Sequence, residues 1–157
     1  MNAARIKALA GATILAMMSV SLSAHASETT LTVSAAVLKH ASMQVVAQPD
    51  SVVVTAEDIA RGYVDVPGTA KITVQSNTQG GYLLHFARLG DFFRQALVRG
   101  LAGPDLQLEE GGGAVAQAST GQGMTRTALD LAFRFVLSES ARQGVYSWPV
   151  RLSVAPL

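Results

Sequence analysis

The sequence contains no cysteine, which excludes several kinds of chemistry at once. A chain without thiols forms no disulfide, holds no metal through thiolates and has no thiol nucleophile. Small domains in oxidising compartments often carry disulfides, so such a domain would here have to depend on packing alone.

The chain also has no marked excess of charge of either sign. Twelve Lys and Arg residues stand against 11 Asp and Glu residues, and the basic ones are scattered. Nucleic-acid binding normally needs clustered positive charge that neutralises phosphates. We therefore expect no nucleic acid among the partners.

Catalytic and ligand-binding signatures are scarce. His40 and His85 are isolated, no serine lies in a G-x-S-x-G turn, and Glu109 and Glu110 are adjacent, so on a strand they would point to opposite faces. The glycine-rich stretches 111–113 and 121–123 lack the strand–loop–helix order of a phosphate-binding loop. The sequence predicts a protein that is not an enzyme and that has no metal and no cofactor.

Only one long apolar run occurs, and it lies at the start. Arg5 and Lys7 precede the apolar stretch Ala8–Leu22, which is followed by Ala24-His25-Ala26. The run is too short for a membrane span, and its small-x-small end is typical of a signal-peptide cleavage site. We predict a signal peptide over 1–26, a single domain over 27–157 with no membrane span, and a periplasmic or cell-surface location in a bacterium.

Alternating apolar and polar residues predict strands through the rest of the chain. The last predicted strand carries Tyr146, Trp148, Val150, Leu152 and Val154 on one face. The preceding run, Leu129–Leu137, alternates in the same way, and the short loop 138–144 predicts that the two form a hairpin. Nothing in the sequence follows the last strand, so we expect it to form a free edge.

A first strand is predicted near the N-terminus, with Leu31, Val33, Ala35 and Val37 on one face. Further strands are predicted around Met43–Gln48, Val52–Val54, Tyr63–Val66 and Leu106–Leu108, with one helical turn at Ala56–Gly62. A weak strand and a loop are expected within 114–127.

The clearest internal hairpin is predicted between Ile72–Val74 and Tyr82–Phe86, with Asn77–Gly81 as its turn. The segment Asp91–Arg99 fits both helical and strand spacing, and its surroundings favour a strand. Short strands at intervals of about ten residues predict an all-β antiparallel sandwich.

Taken in order, these segments resemble the spore coat protein U family, the subunits of archaic chaperone–usher pili. The likeness is carried by the alternating start Leu31–Val37, by the strand–turn–strand segment 70–86, and by the end, 131–154, with its G-x-Y sequence at Gly144–Tyr146. The family usually has a cysteine pair, and Ala41 and Ser76 stand at the corresponding places.

The resemblance implies an immunoglobulin-like sandwich that is incomplete at one edge, in a pilin-like subunit of a surface fibre. Its partners would be a periplasmic chaperone, an usher and neighbouring subunits, in a homo- or hetero-polymer joined by β-strand addition. The donor strand would carry Leu31, Val33, Ala35 and Val37. The acceptor edge would carry Tyr146, Trp148, Val150, Leu152 and Val154.

Two alternatives remain open at this stage. The stretch Leu31–Val37 could pair within its own sheet, as the first strand of most sandwiches does. The protein would then be a self-contained periplasmic binding module for a small ligand or an envelope partner, with a pocket near Tyr82, Phe92, Phe93 and Trp148.

Overall fold

A computed structural model describes residues 33–119, 121 and 123–157. The predicted signal peptide lies outside these residues. The chain divides into two units between Ala35 and Ala36, and of the first unit only 33–35 are described. The architecture below is that of the second unit.

The described chain forms strands with one short helix. In chain order these are β1 (Ala41–Ala47), β2 (Ser51–Val54), α1 (Ala56–Arg61), β3 (Tyr63–Asp65), β4 (Ala70–Ser76), β5 (Tyr82–Arg88), β6 (Phe93–Arg99), β7 (Leu106–Leu108), β8 (Gly113–Gln117), β9 (Thr125–Leu137), β10 (Gly144–Ser147) and β11 (Val150–Pro156). The strands predicted around Met43, Val52, Tyr63 and Leu106 are all present.

Two antiparallel sheets pack face to face, which confirms the predicted all-β sandwich. The first has the order β1-β4-β9-β6-β7, with β3 also paired to β9. The second has the order β11-β5-β8, and β2 and β10 form a separate two-stranded ribbon.

Aromatic side chains from both sheets meet in the core. Phe133 on β9 lies 6.5 Å, centroid to centroid, from Phe86 on β5 and 5.1 Å from Trp148, which follows β10. Edge-on ring pairs of this kind add to the apolar area that each ring buries. The indole Nε1 of Trp148 is buried and has no hydrogen-bond partner among the described residues.

The hairpin predicted from β4 to β5 is wrong, because the two strands belong to different sheets. Their connection carries its own hydrogen bonds: the Ser76 and Thr78 hydroxyls lie 2.7 Å apart, and the Thr78 hydroxyl donates to the carbonyl of Gly81. At Gly81 (φ 91°) a Cβ would lie only 2.0 Å from the carbonyl oxygen of Gln117. The chain can therefore cross between sheets here only with glycine at this position.

The hairpin predicted at the C-terminal end is also wrong. Strand β9 pairs with β3, β4 and β6, whereas β10 pairs with β2 and β11 pairs with β5. The predicted single last strand is split at Trp148-Pro149, as a residue without an N–H would favour. The alternating apolar faces of β9 and β11 are thus buried against each other's sheets and not side by side.

Two local features refine the predictions for the middle of the chain. Strand β6 confirms the preferred interpretation of 91–99, but its pairing with β9 shifts register between Phe93 and Gln95, so that Phe93, Ala96 and Val98 are the buried positions. The helical turn is confirmed as α1, which begins at the N-cap Thr55 and ends at Gly62 (φ 79°).

The strand predicted over Leu31–Val37 is wrong within the described residues. Residues 33–40 form no strand, and the first strand begins at Ala41. Leu31 lies outside the described residues.

One side of the sandwich is closed by the chain itself. Strand β7, at the end of the first sheet, leads through the turn 109–112 into β8, at the end of the second sheet. The Gly112 N–H donates to the Glu109 carbonyl over 3.0 Å, and a Cβ on Gly112 would lie 2.2 Å from the Phe86 carbonyl oxygen. The turn therefore packs directly on β5 and links the two sheets.

A candidate interface between two free strand edges

The opposite side of the sandwich has two edges that are not joined. Among the described residues, β1 pairs only with β4 and β11 only with β5. The two strands are neighbours, with Cα atoms within 8 Å of each other, yet no β-ladder connects them. Each edge therefore presents backbone N–H and C=O groups that a further strand could bind.

The apolar side chains on these two edge strands are only partly covered. On β1, Ala41 and Met43 are half-buried against the core, and Val45 is 45% exposed. On β11, Leu152 is buried whereas Val154 is half-buried. We call the two edges, together with these side chains, the β1–β11 groove.

The groove is limited in length because the chain closes the edge beyond it. After β1 the chain turns away from β4, and β2 pairs with β10 along its whole length. The Trp148 N–H donates to the Asp50 carbonyl over 2.9 Å, where the ribbon ends. The groove therefore spans β11 but not β10.

This geometry divides the five predicted acceptor residues. Val150, Leu152 and Val154 lie on β11 and on the free edge. Tyr146 lies on β10, whose edge β2 occupies, and its ring stacks on Phe92 at 4.3 Å. Trp148 is buried between β10 and β11. Alternation could not distinguish these positions, because it continues across the break at Pro149.

Three of the predicted donor residues, Val33, Ala35 and Val37, are described, and they lie outside any strand and are exposed. Val33 is 81% exposed and Val37 is 83% exposed, and Ala35 is exposed as well. Val33 and Ala35 belong to the first unit and Val37 to the second. Single exposed apolar residues are common on protein surfaces. Apolar residues at every second position are instead typical of a strand, although 33–37 form no strand in the structure.

Sequence reasoning missed the groove wall on β1. Ala41, Met43 and Val45 alternate with Ser42 and Gln44, which predicted the strand, but nothing in the pattern shows that one of its edges is free. The one sequence signal near this edge is the break in alternation at Val45-Val46. In the structure both valines are exposed, and the register with β4 shifts between Val45 and Ala47.

The binding pocket expected near Tyr82, Phe92, Phe93 and Trp148 is not formed. All four side chains are buried in the core. Burial raises the pKa of the Tyr82 hydroxyl above its usual value. A small ligand could reach these rings only if the core opened.

The groups considered for metal or acid–base chemistry remain dispersed. Glu109 and Glu110 lie in the exposed β7–β8 turn, beside an open concavity of about 510 Å³ that Arg94 and Gln95 also line. His85 lines a neighbouring concavity with Glu109. Within the described residues, no three His, Asp or Glu side chains converge to hold a metal ion.

The two acidic groups with shifted pKa values have structural partners. A hydrogen bond from the Thr55 hydroxyl lowers the pKa of Asp58, and Arg61 contributes further. Hydrogen bonds from Arg134 lower the pKa of Asp65, with nitrogen–oxygen distances of 2.7 and 2.9 Å. These shifts follow from a helix cap and a surface ion pair and not from a catalytic cluster.

Comparison with known proteins found no matching family, no matching curated protein and no matching solved structure. Among the described residues there is no helix with the length and apolar character needed to span a membrane.

Proposed function

We propose that this chain is an exported, pilin-like structural subunit that associates by β-strand donation. The β1–β11 groove would accept a strand, and Leu31, Val33, Ala35 and Val37 would supply the corresponding strand to a neighbouring copy. The observation that carries the proposal is the pair of free, adjacent edges around a partly uncovered apolar groove.

The lengths of the two surfaces agree. Strand β11 has seven residues, and the alternating segment 31–37 can span it at the same rise per residue. In a strand added to the edge of β11, every second side chain would point towards the core. Val33, Ala35 and Val37 have this spacing and would cover the exposed parts of Met43, Val45 and Val154.

The strand order supports an immunoglobulin-like sandwich without its last strand. Seven-stranded sandwiches of that type have sheets A-B-E-D and C-F-G. Here β1-β4-β9-β6 has the first order and β5-β11 the start of the second, while no strand of the described residues pairs with the other edge of β11. An added strand would complete the second sheet there.

A second observation supports the likeness to spore coat protein U subunits. Ala41 and Ser76, which stand where that family has cysteines, are directly opposite each other in the β1–β4 ladder. Antiparallel neighbours have Cα separations of about 4.5–5.5 Å, which suits a disulfide. The pairing thus gives a physical reason for a cysteine pair at these two positions.

The proposed location is the periplasm or the cell surface, with a periplasmic chaperone and an usher as assembly partners. This part of the proposal rests on the predicted signal peptide and on the resemblance. A subunit with an open groove needs a partner in transit, since exposed edges and apolar surface promote aggregation.

The experiment that tests strand donation uses the absence of cysteine. The substitutions Ala35→Cys and Val154→Cys place one thiol on the donor segment and one in the groove. Mild oxidation should give a ladder of covalent multimers on non-reducing gels, because the two thiols meet between chains. The matched control pairs Ala35→Cys with Arg151→Cys, which lies on the exposed face of β11 and should cross-link far less.

A chain that stays folded and monomeric, and that forms no disulfide-linked multimers with either cysteine pair, would contradict the proposal. It would favour the alternative of a self-contained binding module.

A further inference from the structure

Asn77 ties the segment before β1 to the end of β4. Its side-chain Oδ1 accepts a hydrogen bond from the His40 N–H over 2.6 Å, and its Nδ2 donates to the Leu38 carbonyl over 2.8 Å. Its backbone N–H also donates to the His40 carbonyl over 3.1 Å. One residue therefore makes three hydrogen bonds to a three-residue segment.

These bonds prolong the β1–β4 ladder beyond its last strand pair. The ladder ends with Ala41 opposite Ser76, and His40 and Asn77 are the next residues on each side. The Asn77 amide then reaches one step further, to Leu38. Of the polar side chains, only an amide offers a donor and an acceptor side by side, as a backbone peptide does.

The position of this tie matters because the groove borders β1. For Val33–Val37 to enter the groove of its own chain, the chain would have to reverse direction between Val37 and Ala41 and form a hairpin with β1. Only Leu38, Lys39 and His40 are available for that turn. The Asn77 side chain bonds to both ends of this segment, at Leu38 and His40, and keeps it extended.

The sequence of this segment also disfavours a reversal of the chain. Tight hairpin turns need residues that accept positive φ, mainly glycine, asparagine or aspartate. Leu38-Lys39-His40 contains none of them. A reversal would therefore break two side-chain hydrogen bonds and also strain the backbone.

We propose that Asn77 is a positioning residue that keeps the donor segment from filling the groove of its own chain, so that it is donated to another copy. This inference rests on the proposed strand donation. One side chain, which lies outside both the donor segment and the groove, thus determines whether the segment inserts into its own chain or is donated to another.

The test combines Asn77→Ala with the Ala35→Cys and Val154→Cys pair in the full chain. A disulfide within one chain leaves a monomer on a non-reducing gel, whereas a disulfide between chains adds to the ladder. In the chain that keeps Asn77 we expect a ladder of multimers. In the Asn77→Ala chain we expect the fraction of cross-linked monomer to rise roughly tenfold, because two hydrogen bonds that oppose the reversal are lost.

Two further variants serve as controls. Gln79→Ala changes an exposed residue in the same connection, whose side chain makes no hydrogen bond within the described residues. This variant should leave the ladder unchanged. Insertion of Asn-Gly between Lys39 and His40 supplies a type I′ turn and should produce cross-linked monomer even if Asn77→Ala folds poorly.

The outcomes separate this inference from the proposed function. If the chain with Asn77 gives no ladder, strand donation itself fails. If it gives a ladder that a folded Asn77→Ala chain does not divert to cross-linked monomer, donation stands and the role of Asn77 is overturned. If Asn77→Ala does not fold, an insertion variant that still gives only the ladder overturns the inference.

Discussion

The two sides of this sandwich are built from the same kind of strand and differ in how their edges end. On the β7–β8 side, one short turn carries the chain from the first sheet to the second. On the β1–β11 side, the edges are neighbours without a ladder between them in the part of the chain that the structure describes. The first side therefore has a direct chain connection between its two edges, and the second has none.

The two sides also differ in their most exposed apolar side chains. On the β7–β8 side Leu108 is 3% exposed and Leu106 and Val115 are half-buried. On the β1–β11 side Met43 and Val154 are half-buried and Val45 is 45% exposed. The open side thus keeps apolar surface in water that a further strand would cover. Such surface is retained in natural proteins mainly where a partner binds.

The largest effect is expected from closing the open side artificially. A variant extended after Leu157 by a flexible turn and a second copy of residues 31–37 should place that strand in the groove, antiparallel to β11. Each valine or leucine buried contributes about 1.5–3 kcal/mol before ordering costs, so the melting temperature should rise by roughly 10 °C. Calorimetry of the monomeric fraction would measure it.

The control for this variant carries asparagine at the added copies of Leu31, Val33, Ala35 and Val37. It has the same length and turn but no apolar face. Equal melting temperatures for the two extended chains would show that the groove does not select an alternating apolar strand.

A pair of truncations compares the two sides directly. Leu108→Ala should lower the free energy of unfolding by about 2–4 kcal/mol, the usual range for a buried leucine. Met43→Ala should lower it by about 1 kcal/mol or less, because the side chain is already partly in water. Denaturant titrations would give both values.

The comparison of Met43→Ala with Leu108→Ala is more informative in the extended chain. There the added strand covers Met43, so Met43→Ala should cost more than before, while the cost of Leu108→Ala should not change. An unchanged cost for Met43→Ala would indicate that the strand lies elsewhere.

A disulfide across β1 and β4 should stabilise the first wall of the groove. With Ala41→Cys and Ser76→Cys the thiols face each other on one side of the ladder, and closing the loop between them should add about 2–4 kcal/mol. Comparing the oxidised and reduced forms of one variant removes the separate effect of losing the Ser76 hydroxyl. Failure of the thiols to pair would weaken the likeness to the cysteine-bearing family.

A small effect on stability, and none on strand donation, is expected at α1, away from both sides. Asp58 accepts hydrogen bonds from the Thr55 N–H at 2.9 Å and from its hydroxyl at 2.6 Å, and its pKa is lowered from 3.8. Asp58→Asn should therefore cost about 1 kcal/mol at neutral pH, as loss of a helix cap does, without changing the cross-linked ladder.

The pH dependence of this cap has a definite sign. A lowered folded-state pKa means that the ionised carboxylate stabilises the fold above pH 3.8 and that this contribution disappears as pH falls through the lower folded value. The difference in stability between the native chain and Asp58→Asn should narrow below about pH 4. Thermal melts across an acid series would show it.

The sequence predicted most strands but not their partners, and the reason is physical. Alternation reports which face of a strand is buried, and that face is the same in a hairpin and in a connection that crosses between sheets. For β4–β5 the deciding feature is the Ser76–Thr78–Gly81 hydrogen-bonded connection, which composition alone does not distinguish from a hairpin turn.

The candidate site was predicted in part for the same reason. Val150, Leu152 and Val154 were predicted to lie at a free edge, and among the described residues their strand, β11, pairs only with β5. Tyr146 and Trp148 were added because the alternation continues, whereas β2 pairs with β10 beside them. The role of Asn77 depends on residues 37 to 39 positions apart in sequence, which no local pattern contains.

The edge of β11 that faces away from β5 ends in proline. The Pro149 carbonyl accepts a hydrogen bond from the Leu89 N–H over 2.8 Å, so the backbone of Pro149 faces β5. Successive residues of a strand direct their N–H and C=O groups to alternate sides, so Pro156, seven positions later, faces the other edge, where it has no N–H to donate. An added strand that extended past Pro156 would lose a hydrogen bond there, and this loss would favour one register of the strand over others.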